Sequence, residues 1–216
     1  KPTDTFNKGM LWVPDFLRGP LLQLSLRIQI GDFRDYGLER PDYPVTRCHP
    51  TLNSELLYRI RHGRVHPQKG VERFEGRQVH FSDGNTSTFD AVIAATGYKI
   101  AFPFFDRDFM CFEEADRIPL YLRMMHPDHP TLFMVGMTQP QGCIWPLSDM
   151  QSKLAANIIA GRRSMPENVR QLAEAECDEI DRNFIHAKRH SLEVHFYPFL
   201  RKLKREIPAS APAWGG

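Results

Sequence analysis

The stretch Phe89 to Tyr98, FDAVIAATGY, constrains this chain most. Its small and β-branched residues make an apolar run that stops at Gly97, the pattern of a buried strand ending where backbone must approach something closely. The run predicts a strand over Ala91 to Thr96. A second apolar run, Leu132 to Gly136, predicts another strand of the same kind, and Gln139-Pro140-Gln141-Gly142 then leads into a helix. Two buried strands ending in glycine, the second feeding a helix amino terminus, suit an α/β sheet that takes a ligand at its carboxyl edge.

Charge narrows the partners. With 28 basic and 26 acidic residues the formal net charge is +2, so no domain-wide basic excess exists to neutralise nucleic-acid phosphates. No apolar run reaches the roughly 18 residues that span a bilayer, so no transmembrane segment is expected. Cys48, Cys111, Cys143 and Cys177 are far apart with no CxxC pair, which fits reduced thiols and a cytoplasmic location better than zinc or a disulfide framework. His126 and His129 flank prolines in a loop, so no metal site is expected there.

Leu21 to Ile30 reads two ways: from Leu22 on the alternation suggests a strand, while Gly19-Pro20 supplies a helix start and Gly31 a stop, and the helix is the favoured reading. A better helix runs from Asn53 to His62, with Leu52, Leu56, Leu57 and Ile60 on one face, Asn53 or Ser54 as cap and Gly63 closing it. That face should pack against a sheet. Residues 64–89 read as a β-meander with turns at Glu75-Gly76-Arg77 and Asp83-Gly84. Phe102, Phe104, Phe105, Phe109 and Phe112 imply a packed aromatic surface under a loop. A helix over Ser148 to Ala160 carries a capping box, Ser148 with Gln151, a buried face of Leu154, Ala155, Ile158 and Ile159, and a stop at Gly161. Glu167 to Lys188 reads as one amphipathic helix. Phe196 to Ile207 reads as a last helix interrupted near Pro198, its basic Arg201, Lys202, Lys204 and Arg205 forming a solvated face.

HPTLNSELLYRIRHGRV at 49–65, VHFSDG at 79–84, FDAVIAATGY at 89–98 and FMVGMTQPQGCIWPLSDMQ at 133–151 together resemble the carboxyl portion of flavin-containing monooxygenases. The stretch from Gly9 to Asp15 resembles it loosely. The resemblance implies the C-terminal parts of a two-dinucleotide-binding-domain flavoprotein using FAD and NADPH. Residues 1–48 would be a helical connector and 49–98 the end of the NADP-binding domain. Residues 99–165 would end the FAD-binding domain, and 166–216 would be covering helices.

On the same resemblance, Thr96, Gly97, Tyr98, Gly136, Gln139, Pro140, Gly142, Ser148 and Gln151 are the expected cofactor contacts, with Ile144 and Trp145 lining a substrate pocket beside the Phe102 to Phe105 group. The amino end of the helix at Leu147 to Gln151 would stabilise negative charge on the flavin. The implied chemistry is hydride transfer from NADPH to FAD and addition of O2 to give a C4a-hydroperoxyflavin, which oxygenates the nitrogen of an amine or the sulfur of a sulfide in a dry pocket. The expected partners are therefore O2 and a small-molecule substrate, with a homo-oligomer left open.

The sequence departs from the family in having no GxGxxG loop, the element that cradles the FAD pyrophosphate. The expectation is a piece of a longer enzyme, inactive alone. The alternatives are a Baeyer-Villiger type ketone monooxygenase and a truncated, non-catalytic chain that binds no flavin. Asp149 stands where the family more often has Glu, which keeps a negative charge near the helix start.

Overall fold

The computed structural model describes residues 13–48, 53, 55–186 and 190–209. Leu52, Ser54, Lys188 and most of the Gly9 to Asp15 stretch, all named above, lie outside them. The chain divides into two compact units, one of Lys1–Gln23, Tyr43–Pro50 and Ala101–Gly216, the other of Leu24–Asp42 and Thr51–Ile100. In class it is mixed α/β, with a small antiparallel three-stranded sheet and helices. Among the described residues no helix is long and apolar enough to cross a membrane.

Helix α1 spans Asp15–Ile30, six residues longer at its start than the apolar spacing predicts, and ends where Gly31 takes a left-handed φ of +83°. Pro20 lies inside it. Helix α2, Glu55–Arg61, begins where Asn53 Oδ1 accepts from Glu55 N at 2.8 Å and closes at left-handed Gly63. The expected burial against a sheet is not observed: Leu56 is exposed, Leu57 and Ile60 are half-buried, and no residue of α2 is buried. The helix is instead tied locally, with the Arg61 guanidinium 4.9 Å from the centre of the Tyr36 ring, a cation–π contact.

The meander forms as its turn chemistry dictates. Strands β1 (Val71–Glu75), β2 (Gln78–Phe81) and β3 (Thr86–Thr88) pair antiparallel in that order. Glu75 faces Gln78 across the two-residue turn Gly76-Arg77, with Gly76 at φ +59°. Val79 and Phe81 point to one side of β2 and are buried, the alternation a half-buried strand requires.

The strand expected over Ala91 to Thr96 does not form. Residues 90–100 carry no helix or strand, Ile93 is 90% exposed and Tyr98 is fully exposed. A strand exists only as part of a ladder, and no described residue pairs with this one. The Leu132 to Gly136 expectation fares only slightly better: it reduces to one isolated bridge, Met125 to Phe133, and Val135 is exposed. The sole parallel pairing among the described residues joins β4 (Gln139–Pro140) to β5 (Glu193–Val194), two residues each.

The C-terminal unit owes its core to three helices, α3 (Trp145–Ile159), α4 (Val169–Asn183) and α5 (Phe196–Glu206). Leu147, Leu154 and Ala155 of α3, Ala173 of α4, and Phe199 and Leu203 of α5 close around the turn Tyr121 to Met125. Ile159, expected on the buried face of α3, is 75% exposed. Helix α5 is not interrupted at Pro198, because that residue falls in the first turn, where no intrahelical N–H bond is needed.

Candidate functional site

The segment from Gly136 to Gln151 holds eight of the expected contacts in one continuous strand, turn and helix. Gln139 N donates to Leu192 O at 2.7 Å, which pins β4 against β5. The chain then turns: Gly142 N donates to Pro140 O at 2.8 Å, and Gly142 takes a φ of +155°, a conformation side chains disfavour. Beside it, Gln141 Nε2 donates to Cys48 O at 3.0 Å. Phe196 floors the turn, its ring 3.6 Å from where a Cβ on Gly142 would lie.

Helix α3 starts at Trp145, three residues before the expected Ser148. The capping box is absent, since Ile144 is the cap and no side chain bonds there. Leu147 N and Ser148 N both donate to Ile144 O, at 3.0 and 3.1 Å, and Ser148 Oγ donates to the same carbonyl at 3.4 Å. Pro146 wins the helix start, because its ring suits the first turn and its missing N–H costs nothing there. Gly142, Cys143 and Trp145 are exposed and Ile144 is half-buried, so the helix mouth is open. No acidic side chain sits in the first turn, and Asp149 is engaged 2.9 Å away by Lys153. The positive end of the helix dipole is left unopposed.

Gly136, Ser148 and Gln151 meet beneath this mouth. Gly136 has a φ of +89° and donates its N–H to Gln151 Oε1 at 2.9 Å, while Gln151 Nε2 donates to Leu122 O at 2.9 Å. Gln151 is fully buried. Between the two anchored residues Gly136 and Gln139 lies Thr138, 4% exposed, whose Oγ1 has no hydrogen-bond partner among the described residues.

Thr96, Gly97 and Tyr98 belong to the other compact unit. Gly97 has a φ of +88°, no atom lies within 4 Å of where its Cβ would be, and Tyr98 is fully exposed. The Phe102 to Phe112 group forms its own cluster, with Phe104 and Phe105 centres 4.7 Å apart and Phe105 and Phe109 centres 5.1 Å apart. Phe109 stacks on His129 at 4.1 Å, and Phe104 remains 75% exposed. Burial and the neighbouring His129 hold the His126 imidazole below its ordinary value.

Sequence reasoning missed the polar centre of the C-terminal unit. Leu122 and Arg123 both take left-handed conformations, φ +51° and +54°, in the middle of an apolar run that gives no turn signal. Arg123 is buried and donates to Ile118 O at 2.9 Å and to Ser191 O at 2.8 Å. Burial pushes its guanidinium down and the Glu176 carboxyl up. A charged residue within LYLRMM was the one visible sign.

Over residues 22–212 the chain matches the flavin-binding monooxygenase-like family. It belongs to that family. Among curated proteins it is 32% identical over 177 residues to flavin-containing monooxygenase 5 of Homo sapiens, an alignment covering 80% of this chain and 33% of that protein. It is 29% identical over 184 residues to dimethylaniline monooxygenase [N-oxide-forming] 2 of Mus musculus, covering 81% of this chain and 33% of the relative. A third relative, 4-hydroxybenzoate brominase (decarboxylating) of Marinomonas mediterranea, is 36% identical over 124 residues, covering 56% of this chain and 23% of that protein. The chain thus spans about a third of the length of the first two relatives.

Proposed function

We propose that this chain is the carboxyl portion of an FAD- and NADPH-dependent monooxygenase acting on soft nucleophiles, an amine nitrogen or a sulfide sulfur. The observation that carries the reading is the open amino end of α3 behind the Gly142 turn, with no acidic residue in its first turn. The ring end of a flavin fits such a site. Backbone donors and the dipole favour negative charge on the pyrimidine, Gly142 permits close approach, and the buried Thr138 hydroxyl has no partner among the described residues. Bound FAD reduced by NADPH would supply the electrons that activate O2 for transfer of one oxygen atom to substrate.

The chain's own residues then have three tasks. Gly142 would allow the ring to approach closely and the Gln139 side chain would hydrogen-bond cofactor, the backbone N–H groups of both being donated within the protein. The α3 terminus would stabilise charge, and Ile144 with the exposed Trp145 would shield the site from water. Thr96, Gly97 and Tyr98 are likewise proposed as cofactor contacts. The pyrophosphate has no cradle in this sequence, which carries no GxGxxG loop. A reducing, cytoplasmic setting is proposed from the spacing of the four cysteines, which offers no CxxC pair.

A second reading, a chain that binds no flavin by itself, is favoured by the unpaired, exposed apolar run at Val92 and Ile93. Titrating FAD into the chain, and into the longest polypeptide its gene encodes, separates the two. The monooxygenase reading expects the longer polypeptide to purify yellow and to consume NADPH with amines or sulfides. A colourless longer product that FAD does not stabilise against heat overturns it.

A further inference from the structure

Gln151 has the pattern of a brace. Its amide can sit only one way round, because Oε1 faces the N–H of Gly136 and Nε2 faces the C=O of Leu122, each at 2.9 Å, and a flip would set donor against donor and acceptor against acceptor. Both partners are backbone groups at left-handed residues, Gly136 at φ +89° and Leu122 at φ +51°. Neither has a strand or helix neighbour to take that bond, so one side chain two turns into α3 satisfies both turns.

We propose that Gln151 is a positioning residue for the flavin site, touching no ligand and fixing the height of the Gly136 to Gly142 segment against the amino end of α3. This rests on the monooxygenase reading above. The segment is suspended at two points, Gly136 by Gln151 and Gln139 by Leu192 O at 2.7 Å, and the unpartnered Thr138 hydroxyl and the Gly142 turn take their places from those two anchors. Buried completely, with both ends of its amide on backbone, Gln151 has no face toward the mouth.

The test compares Gln151→Met, which keeps the volume and loses both bonds, with Gln151→Glu in the full FAD-binding polypeptide. A protonated carboxylic acid offers one acceptor and one O–H donor, as the amide does, whereas the carboxylate offers acceptors only. Hydrogen exchange at the Gly136 amide, FAD affinity and the visible spectrum of bound flavin are read in acid and at neutral pH. The expected result for Gln151→Met is fast exchange at Gly136, FAD affinity lower by roughly tenfold and a shifted flavin spectrum. Gln151→Glu should match wild type in acid and Gln151→Met at neutral pH. If Gln151→Met does not fold, the two pH conditions of Gln151→Glu carry the comparison. Fast Gly136 exchange with unchanged flavin affinity and spectrum overturns the positioning role alone. A wild-type polypeptide that takes up no FAD overturns the monooxygenase reading and this role with it.

Discussion

Leu122 N donates to Glu176 Oε1 at 3.1 Å inside the C-terminal unit, and the same oxygen lies 2.6 Å from Lys202 Nζ. One carboxylate therefore ties a left-handed turn to α4 and α5. Burial pushes the Glu176 carboxyl above its ordinary 4.5, and the opposing pull of Lys202 and Arg123 does not overcome it. The folded state thus holds a proton that the unfolded state gives up. Stability from this group is full below 4.5 and is lost as pH rises through the raised value. Glu176→Gln keeps the acceptor for Leu122 N and removes the titration. Urea midpoints measured from below 4.5 to neutrality should fall with pH in wild type more steeply than in the variant.

Tyr121 titrates late. Burial first, then the charges of Glu206 and Glu176, push its phenol up to about 12 from 10.0. Its stabilising share is complete below 10.0 and disappears as pH rises through about 12. Tyr121→Phe should flatten the alkaline limb of the stability curve, and the phenolate absorbance titration should lose its latest step.

Leu154 and Ile159 lie on the same helix with opposite burial, 1% against 75% exposed. Leu154→Ala opens a cavity in the core shared with Leu203 and should cost about 2–5 kcal/mol. Ile159→Ala should stay within about 0.5 kcal/mol. Paired chemical-denaturation curves check the contrast, and equal effects would contradict the burial of Leu154.

Gly142→Ala meets the Phe196 ring at ordinary contact distance, 3.6 Å, so space is available and only the φ of +155° opposes it. The expected stability cost is about 1 kcal/mol, with a loss of FAD affinity in the full polypeptide because the strained backbone conformation shapes the turn at the proposed flavin contact, the new methyl itself facing Phe196. Gly97→Ala, at φ +88° with open space around it, should show a similar cost from backbone strain alone. Thermal melts with and without FAD measure both.

Where local chemistry decides structure, the sequence was a good guide. The Gly76 and Gly84 turns placed the meander, Gly31, Gly63 and Gly161 closed helices where expected, and the amphipathic spacing of Glu167 to Lys188 indicated α4, which runs only from Val169 to Asn183. At Trp145-Pro146 two local signals competed, and the proline overrode the Ser148 to Gln151 box. Of the candidate site, the run from Gly136 to Gln151 was legible as one unit, while the burial of Gln151 and the partnerless Thr138 hydroxyl were not. The orientation of Gln151 depends on Leu122, whose carbonyl accepts from Gln151 Nε2 across 29 positions of sequence and which no local pattern marks as a turn.

Two kinds of property separate here. Turns, helix ends, the amphipathic character of α4 and α5 and membership of the flavin-binding monooxygenase-like family were written in the order of residues, because glycine conformations, proline rings and apolar spacing act within a few positions. Whether Ala91 to Thr96 becomes a strand, which way Gln151 points and where Arg123 and Glu176 find partners were decided by tertiary structure alone. A ladder bond or a buried polar group is satisfied only by a neighbour distant in sequence, and apolar pattern says that a residue will be covered without saying by what.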